Sequence, residues 1–251
     1  MNNRPYLILL IVLLVTSISP HARAEDPSAL IERGKLVFSD DFNRTEDDDA
    51  IEQVGNGWVT NSSKAAKGVK QADLKDGTLV ITQAEGANHS VSVRHDTPFD
   101  DGVIKLRFQV FDRRGLKFNF NDPAAKKVTW AGHIARVVVA PKSVTIQDDK
   151  TGVFELGVRT KRKDKNLPED EKAELAKFLA TKSVKLEAPI KPKQWHEMTI
   201  VNVGPKFEVY IDDNSVGSFS SEGLDHKVKQ NIALGVSGKV VVDDLRVWSL
   251  D

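Results

Sequence analysis

Cysteine is absent from all 251 residues, so no disulfide can staple the fold and no lipid-bearing cysteine can tether it. A charge excess is also absent, with 36 basic residues against 36 acidic ones. That balance argues against a dedicated nucleic-acid binder, which carries a clear basic surplus. The one locally basic run, Arg159-Thr-Lys-Arg-Lys-Asp-Lys165, is interrupted and has no aromatic neighbours, and reads as a solvated loop. There is no internal repeat and no linker. The longest apolar run, Leu7 to Val15, is shorter than the roughly 20 residues that span a bilayer.

That run follows Arg4 and precedes the small-residue site Ala22-Arg23-Ala24, the layout of a cleaved secretory signal. The expectation is an exported product, periplasmic or extracellular, formed by residues 25–251 as one domain with no membrane span after cleavage. Its stability must come from a packed core or a bound ion.

The remaining chain is dominated by period-two alternation. Strands are expected at Lys35 to Phe42, Trp58 to Thr60, Gly68 to Lys70, Thr78 to Thr82, Ser90 to Arg94 and Gly102 to Phe111. More follow at Leu116 to Asn121, Gly132 to Val139, Ser143 to Gln147 and Gly152 to Gly157. The last quarter is a meander. Trp195 to Val203 breaks at Gly204-Pro205, Lys206 to Ile211 turns at Asp212-Asp213-Asn214, and Ser215 to Phe219, Asn231 to Val236 and Lys239 to Trp248 complete it. Many short strands with regular turn signals define an all-β, two-sheet antiparallel sandwich or jelly roll. One segment breaks the rhythm. Pro168 to Ala180 has acids first, lysines later and Leu175, Phe178 and Leu179 at helical spacing, which predicts a three-turn helix in an insertion spanning about 167–182, its narrow stripe packed on the sandwich.

Several strings together carry a family resemblance: Phe38-Ser-Asp-Asp-Phe-Asn-Arg44, Gly57-Trp58, Asp76-Gly-Thr-Leu-Val-Ile81, the Trp195 strand with its Tyr210-Ile-Asp-Asp turn, and Val242-Asp-Asp-Leu-Arg-Val-Trp248. Over nearly all of residues 25–251 the chain resembles the concanavalin A-like lectin/glucanase superfamily. Within it, the chain is most similar to secreted bacterial 3-keto-disaccharide hydrolase domains, relatives of laminarinase-type glycoside hydrolases. The resemblance implies a jelly roll whose concave face holds a carbohydrate. It also implies that the terminal strands lie side by side and share a structural Ca²⁺, for which Asp41 and Asp243 are the candidate ligands. One departure matters. Laminarinase-type enzymes carry two glutamates on one strand, and no Glu-x-Asp-x-Glu string occurs here; Glu169-Asp-Glu171 sits at a helix start, where it complements the dipole.

The densest polar set lies on the middle strands. Lys117, Asn119 and Asn121 share one face of their strand while Leu116, Phe118 and Phe120 share the other. Directional polar groups on a rigid sheet suit sugar hydroxyls, although a solvent-facing sheet shows the same alternation. Trp130, His133 and Arg136 follow, then Gln147 and Asp149 across a turn, with Arg94 ending another strand. Regular alternation sends His133 and Arg136 to opposite faces unless a bulge intervenes. The expected catalytic pair is His133 with Asp149, as general base; the expected ligand-binding set is Arg94, Lys117, Asn119, Asn121, Arg136 and Gln147. A surface histidine bonded to a turn acid explains the first pair equally well. Two functions stay open: an enzyme acting on glycosides or 3-keto-disaccharides by proton abstraction beside a keto group, and a non-catalytic carbohydrate-binding or cell-envelope module using the same face.

Overall fold

The computed structural model describes residues 25–129 and 131–251. The expected secretory leader and Trp130 lie outside the described residues. After helix α1 (Pro27–Arg33) come β1 (Lys35–Asp40), β2 (Val59–Thr60), the short α2 (Ser62–Ala65), β3 (Ala72–Lys75), β4 (Thr78–Thr82), β5 (Val91–Phe99), β6 (Gly102–Val110), β7 (Leu116–Asn121), β8 (His133–Ala140) and β9 (Ser143–Asp148). Helices α3 (Leu156–Lys163) and α4 (Glu169–Ala180) intervene before β10 (Ser183–Glu187), β11 (His196–Val203), β12 (Lys206–Ile211), β13 (Asn214–Ser220), β14 (Lys229–Val236) and β15 (Lys239–Ser249).

These strands form two antiparallel sheets. One has the order β13-β12-β11-β6-β15-β4-β3 with β1 joined to β15; the other runs β10-β9-β8-β7-β14-β5-β2. The architecture is the expected concanavalin A-like jelly-roll sandwich with minor helical content. Alternation explains the packing, because one side of each strand enters the space between the sheets. Leu116, Phe118 and Phe120 of β7 meet Phe207 of β12 there, and Phe120 sits edge-on to both Phe99 and Phe207 at centroid distances of 6.2 and 5.1 Å. The first and last strands pair, β1 with β15. Its first half pairs with β4 and its second half with β1, and the change falls at a register shift between Asp243 and Arg246 where Asp244 has φ +51°.

Three local expectations are corrected. Gly68 to Lys70 is no strand: Gly68 turns at φ +85° and Val69 is exposed, so pairing begins only at β3. Gly152 to Gly157 is a turn followed by α3, because Phe154 N–H closes back on the Asp149 carbonyl and the Glu155 carboxylate caps Val158 N–H at 2.7 Å. The basic run 159–165 is therefore largely helical, with Lys161, Arg162 and Lys163 in the last turn, where they complement the dipole. Helix α4 forms as expected, but no residue of it is fully buried; Leu175 and Phe178 line a groove against Val158 of α3. Strand β10 has no counterpart in the sequence reading. Among the described residues no helix is long and apolar enough to cross a membrane.

Candidate functional site

The outward side of the seven-stranded sheet carries a continuous cross-strand row. Val59, Arg94, Ala233, Asn119, Arg136, Gln147 and Ser183 are successive register partners from β2 to β10. Four of the expected ligand-binding residues therefore stand on one line. Lys117 lies one step along β7, opposite Gly235 and Val138, and Asn121 one step the other way, opposite Asn231. The sheet thus brings the whole polar set to one face.

His133 joins that face through a β-bulge. Phe120 pairs with Ala135 while Asn121 pairs with His133, so Ile134 is an extra residue on β8. The bulge turns Ile134 into the core and leaves His133 on the same side as Arg136. Beyond β7 the floor of the face is low, because Ala233 and Gly235 of the central strand β14 bring almost no side chain. A Cβ at Gly235 would stand 3.1 Å from Asn119 Nδ2 and 3.3 Å from Lys117 Cβ.

Phe154, whose alternating neighbours predict an ordinary strand, organises the chemistry. Its ring stacks on His133 at 4.1 Å between centroids, and the Arg136 guanidinium lies 5.3 Å from its centre. It is held there by the turn after Asp149 and by Thr129 N–H donating to its carbonyl at 3.1 Å. Arg136 donates from Nη2 to Asp149 Oδ1 at 2.9 Å. Asp149 is closed to solvent, and its partner is this arginine rather than His133, so the His133–Asp149 hydrogen bond of the general-base reading is not formed. Asp148 serves a different purpose, accepting from Thr151 N–H and Gly223 N–H at 2.9 and 3.1 Å to anchor the turn.

Burial sets the protonation states. It pulls His133 down to about 4, with the Arg136 charge as a second cause, so the imidazole is neutral near pH 7. It pushes Asp149 up to about 6 against the pull of Arg136. Lys117 is lowered by burial and then by Arg136. Its Nζ donates to Ser237 Oγ at 3.1 Å, and among the described residues it has no acidic partner. Among the described residues the acidic partner of Arg94 is the exposed Asp96, 3.8 Å away.

Six buried side-chain polar atoms among the described residues lack a hydrogen-bond partner, and five belong to this site or its rim: Asn121 Oδ1, Thr129 Oγ1, His133 Nδ1, Arg136 Nε and Asp149 Oδ2. Native interiors rarely leave such atoms unpaired, because each costs about 1–3 kcal/mol. Asn121 also donates to Asn231 Oδ1 at 2.9 Å. Asn231, Thr129 and Phe154 were not singled out from sequence; a buried asparagine on a central strand was the available signal for the first.

The acidic pairs at the chain ends do not fit the expected Ca²⁺. Asp243 accepts from Arg107 at 2.9 Å, and Asp41 caps its own turn through Asn43 N–H. Neighbouring Asp40 is saturated by Phe42 N–H, both terminal nitrogens of Arg44, Asn56 Nδ2 and Trp58 Nε1, while Asp244 holds Arg246. Arginines stand where a shared cation would. Among the described residues no three carboxylate or histidine side chains converge on a metal position.

The two-sheet sandwich is of the concanavalin A-like class. The family model described as the 3-keto-alpha-glucoside-1,2-lyase-like domain matches residues 49–247, and the chain belongs to that family. Similar solved structures include the laminarinase from Rhodothermus marinus, at 14% identity over 86% of this chain and 97% of that one with a TM-score of 0.56. The laminarinase from Flavobacterium sp. UMI-01 follows at 15% identity, 86% and 100% coverage and a TM-score of 0.52. The GlcNAcα1-4Gal-releasing endo-β-galactosidase from Clostridium perfringens gives 11%, 86%, 63% and 0.55 in the same order. At these identities the likeness shows the fold. A comparison with curated proteins finds no match.

Proposed function

We propose that this is an exported lyase-type enzyme acting on 3-keto-glycosides, with residues 25–251 working as one domain and the outward face around His133 and Arg136 as its active site. The observation that carries the reading is the alignment of Arg94, Asn119, Arg136 and Gln147 in one cross-strand row, flanked by Lys117 and Asn121, beside a neutral imidazole. Directional polar side chains on a rigid sheet face are what a polyhydroxylated ligand binds.

The chemistry suits the groups present. A C3 ketone acidifies the C2 proton. His133 takes that proton, the C2–H electrons pass into an enolate, and collapse of the enolate expels the C1 oxygen substituent. The leaving oxygen then picks up a proton. The products are a 1,2-unsaturated 3-keto sugar and an alcohol, and later addition of water across the double bond gives net hydrolysis. Arg136 supplies positive charge for the enolate oxygen, while Asp149 orients Arg136 from behind. No second carboxylate is needed, which agrees with the missing glutamate pair. His133 is favoured over Asp149 as base because Asp149 is closed to solvent and already bonded to Arg136.

The test is incubation of the protein with glycosides and their 3-keto derivatives, following enone absorbance and loss of a C2 deuterium label. Turnover of keto substrates alone, lost in His133→Ala, supports the enzyme. Retained glycan binding with no turnover assigns the same face to a binding module instead.

A further inference from the structure

The charge on the outward face is one-sided where the sheet is deepest. On the described strands, outward positions hold the cations Arg94, Lys117, Arg136 and Lys185 and only two acids, Asp96 and Glu187, both exposed and away from the three central strands. Asp149 is behind Arg136, not on the face, and compensates that one cation. Lys117 is half-buried beside Arg136 with Ser237 Oγ as its hydrogen-bond acceptor. Lys117 is therefore left with an uncompensated charge, which a neutral sugar does not relieve.

The floor leaves room for what would relieve it. Ala233 and Gly235 separate Arg94 on β5 from the Lys117–Asn119 pair on β7, so the space above β14 is bounded by cations on both sides. Arg94 and Arg136 are three strand spacings apart, about 14 Å, the scale of a short oligosaccharide.

We propose that this face selects saccharides bearing an anionic group, a uronate carboxylate or a sulfate ester, seated above Ala233 and Gly235 between Arg94 and Lys117. The inference rests on the reading of this face as the carbohydrate site and specifies its substrate class. An arginine fork matches a carboxylate or sulfate edge, and the lysine adds a point charge.

The experiment is calorimetric titration of the full chain with neutral disaccharides, the aldobiouronic acids of the same linkages, and their 6′-sulfates, using wild type, Lys117→Gln and Lys117→Arg, with circular dichroism to verify folding. Acidic probes are expected to bind about tenfold or more tightly than neutral ones, with Lys117→Gln erasing that preference, Lys117→Arg keeping it, and salt weakening the acidic probes selectively. Preference between carboxylate and sulfate identifies the group. Equal binding of neutral and acidic probes, lost in Asn119→Ala, overturns the inference and leaves the saccharide site standing. Failure of every probe to bind removes both.

Discussion

Arg136 donates to one oxygen of Asp149 at 2.9 Å and leaves the other oxygen of this fully buried carboxylate without a partner. His133, on the same sheet face, is displaced in the opposite electrostatic sense. The folded chain keeps His133 neutral down to about 4, whereas the unfolded chain protonates it near 6.5, so stability from this group is present above 6.5 and lost as pH falls. Asp149 holds its proton up to about 6 when folded but loses it near 3.8 when unfolded, so its contribution is present at low pH and lost as pH rises.

Each shift corresponds to about 3 kcal/mol between pH 4 and 6.5, with opposite sign, and in wild type the two nearly cancel. Asp149→Asn is expected to make stability rise with pH relative to wild type across this window, by about 3 kcal/mol, and His133→Gln to make it fall by a similar amount. Urea unfolding at three pH values measures this. Curves for both variants that stay parallel to wild type would refute the opposed shifts.

Ala233 is the floor of the proposed saccharide cleft, flanked in register by Arg94 and Asn119. Ala233→Leu is expected to fill the cleft from below and weaken saccharide binding by about tenfold or more, with a stability change under about 1.5 kcal/mol because the added group points away from the core. Calorimetry paired with thermal melts checks this. Unchanged affinity would move the site off this strand.

The sheets were legible because alternation is imposed by burial on one side of each strand, and β4 and β7 begin and end where their residues alternate. What escaped depends on contacts distant in sequence. The alternating Gly152–Gly157 segment is diverted into a turn by Phe154 closing on Asp149 and by the Glu155 cap. His133 reaches Arg136's face only because Ile134 is an inserted bulge residue, and a bulge is set by pairing with β7 rather than by the residues of β8. The shared face of Lys117, Asn119 and Asn121 was readable from one strand, but its alignment with Arg94 and Gln147 required the strand order.

Arg44 is the cation that neutralises Asp40, next to the expected Ca²⁺ ligand Asp41. It chelates the nearly inaccessible Asp40 with both terminal nitrogens, while its Nε donates to Val54 O at 2.8 Å. Arg44→Met is expected to cost about 3–5 kcal/mol, since it leaves a buried carboxylate short of its cation, and wild-type melting is expected to be the same in Ca²⁺ and in EDTA. A Ca²⁺-dependent rise in the wild-type melting temperature would contradict that role of Arg44.

Phe154 shields His133, and burial is the leading cause of the lowered histidine. Phe154→Ala should therefore admit water to the imidazole and move its titration from about 4 back toward the ordinary histidine value near 6.5, by one unit or more at about this scale. The same change removes the surface over which the Arg136 guanidinium lies, which makes the variant a test of geometry as well as of burial. If His133 is the base, the acidic limb of the rate profile should rise with the histidine midpoint, because more of the enzyme is protonated at a given pH. Nuclear magnetic resonance titration of the imidazole, read beside the rate profile, separates the two effects. A histidine midpoint that rises while the acidic limb stays fixed would remove His133 from proton abstraction and leave it a binding role on the sheet.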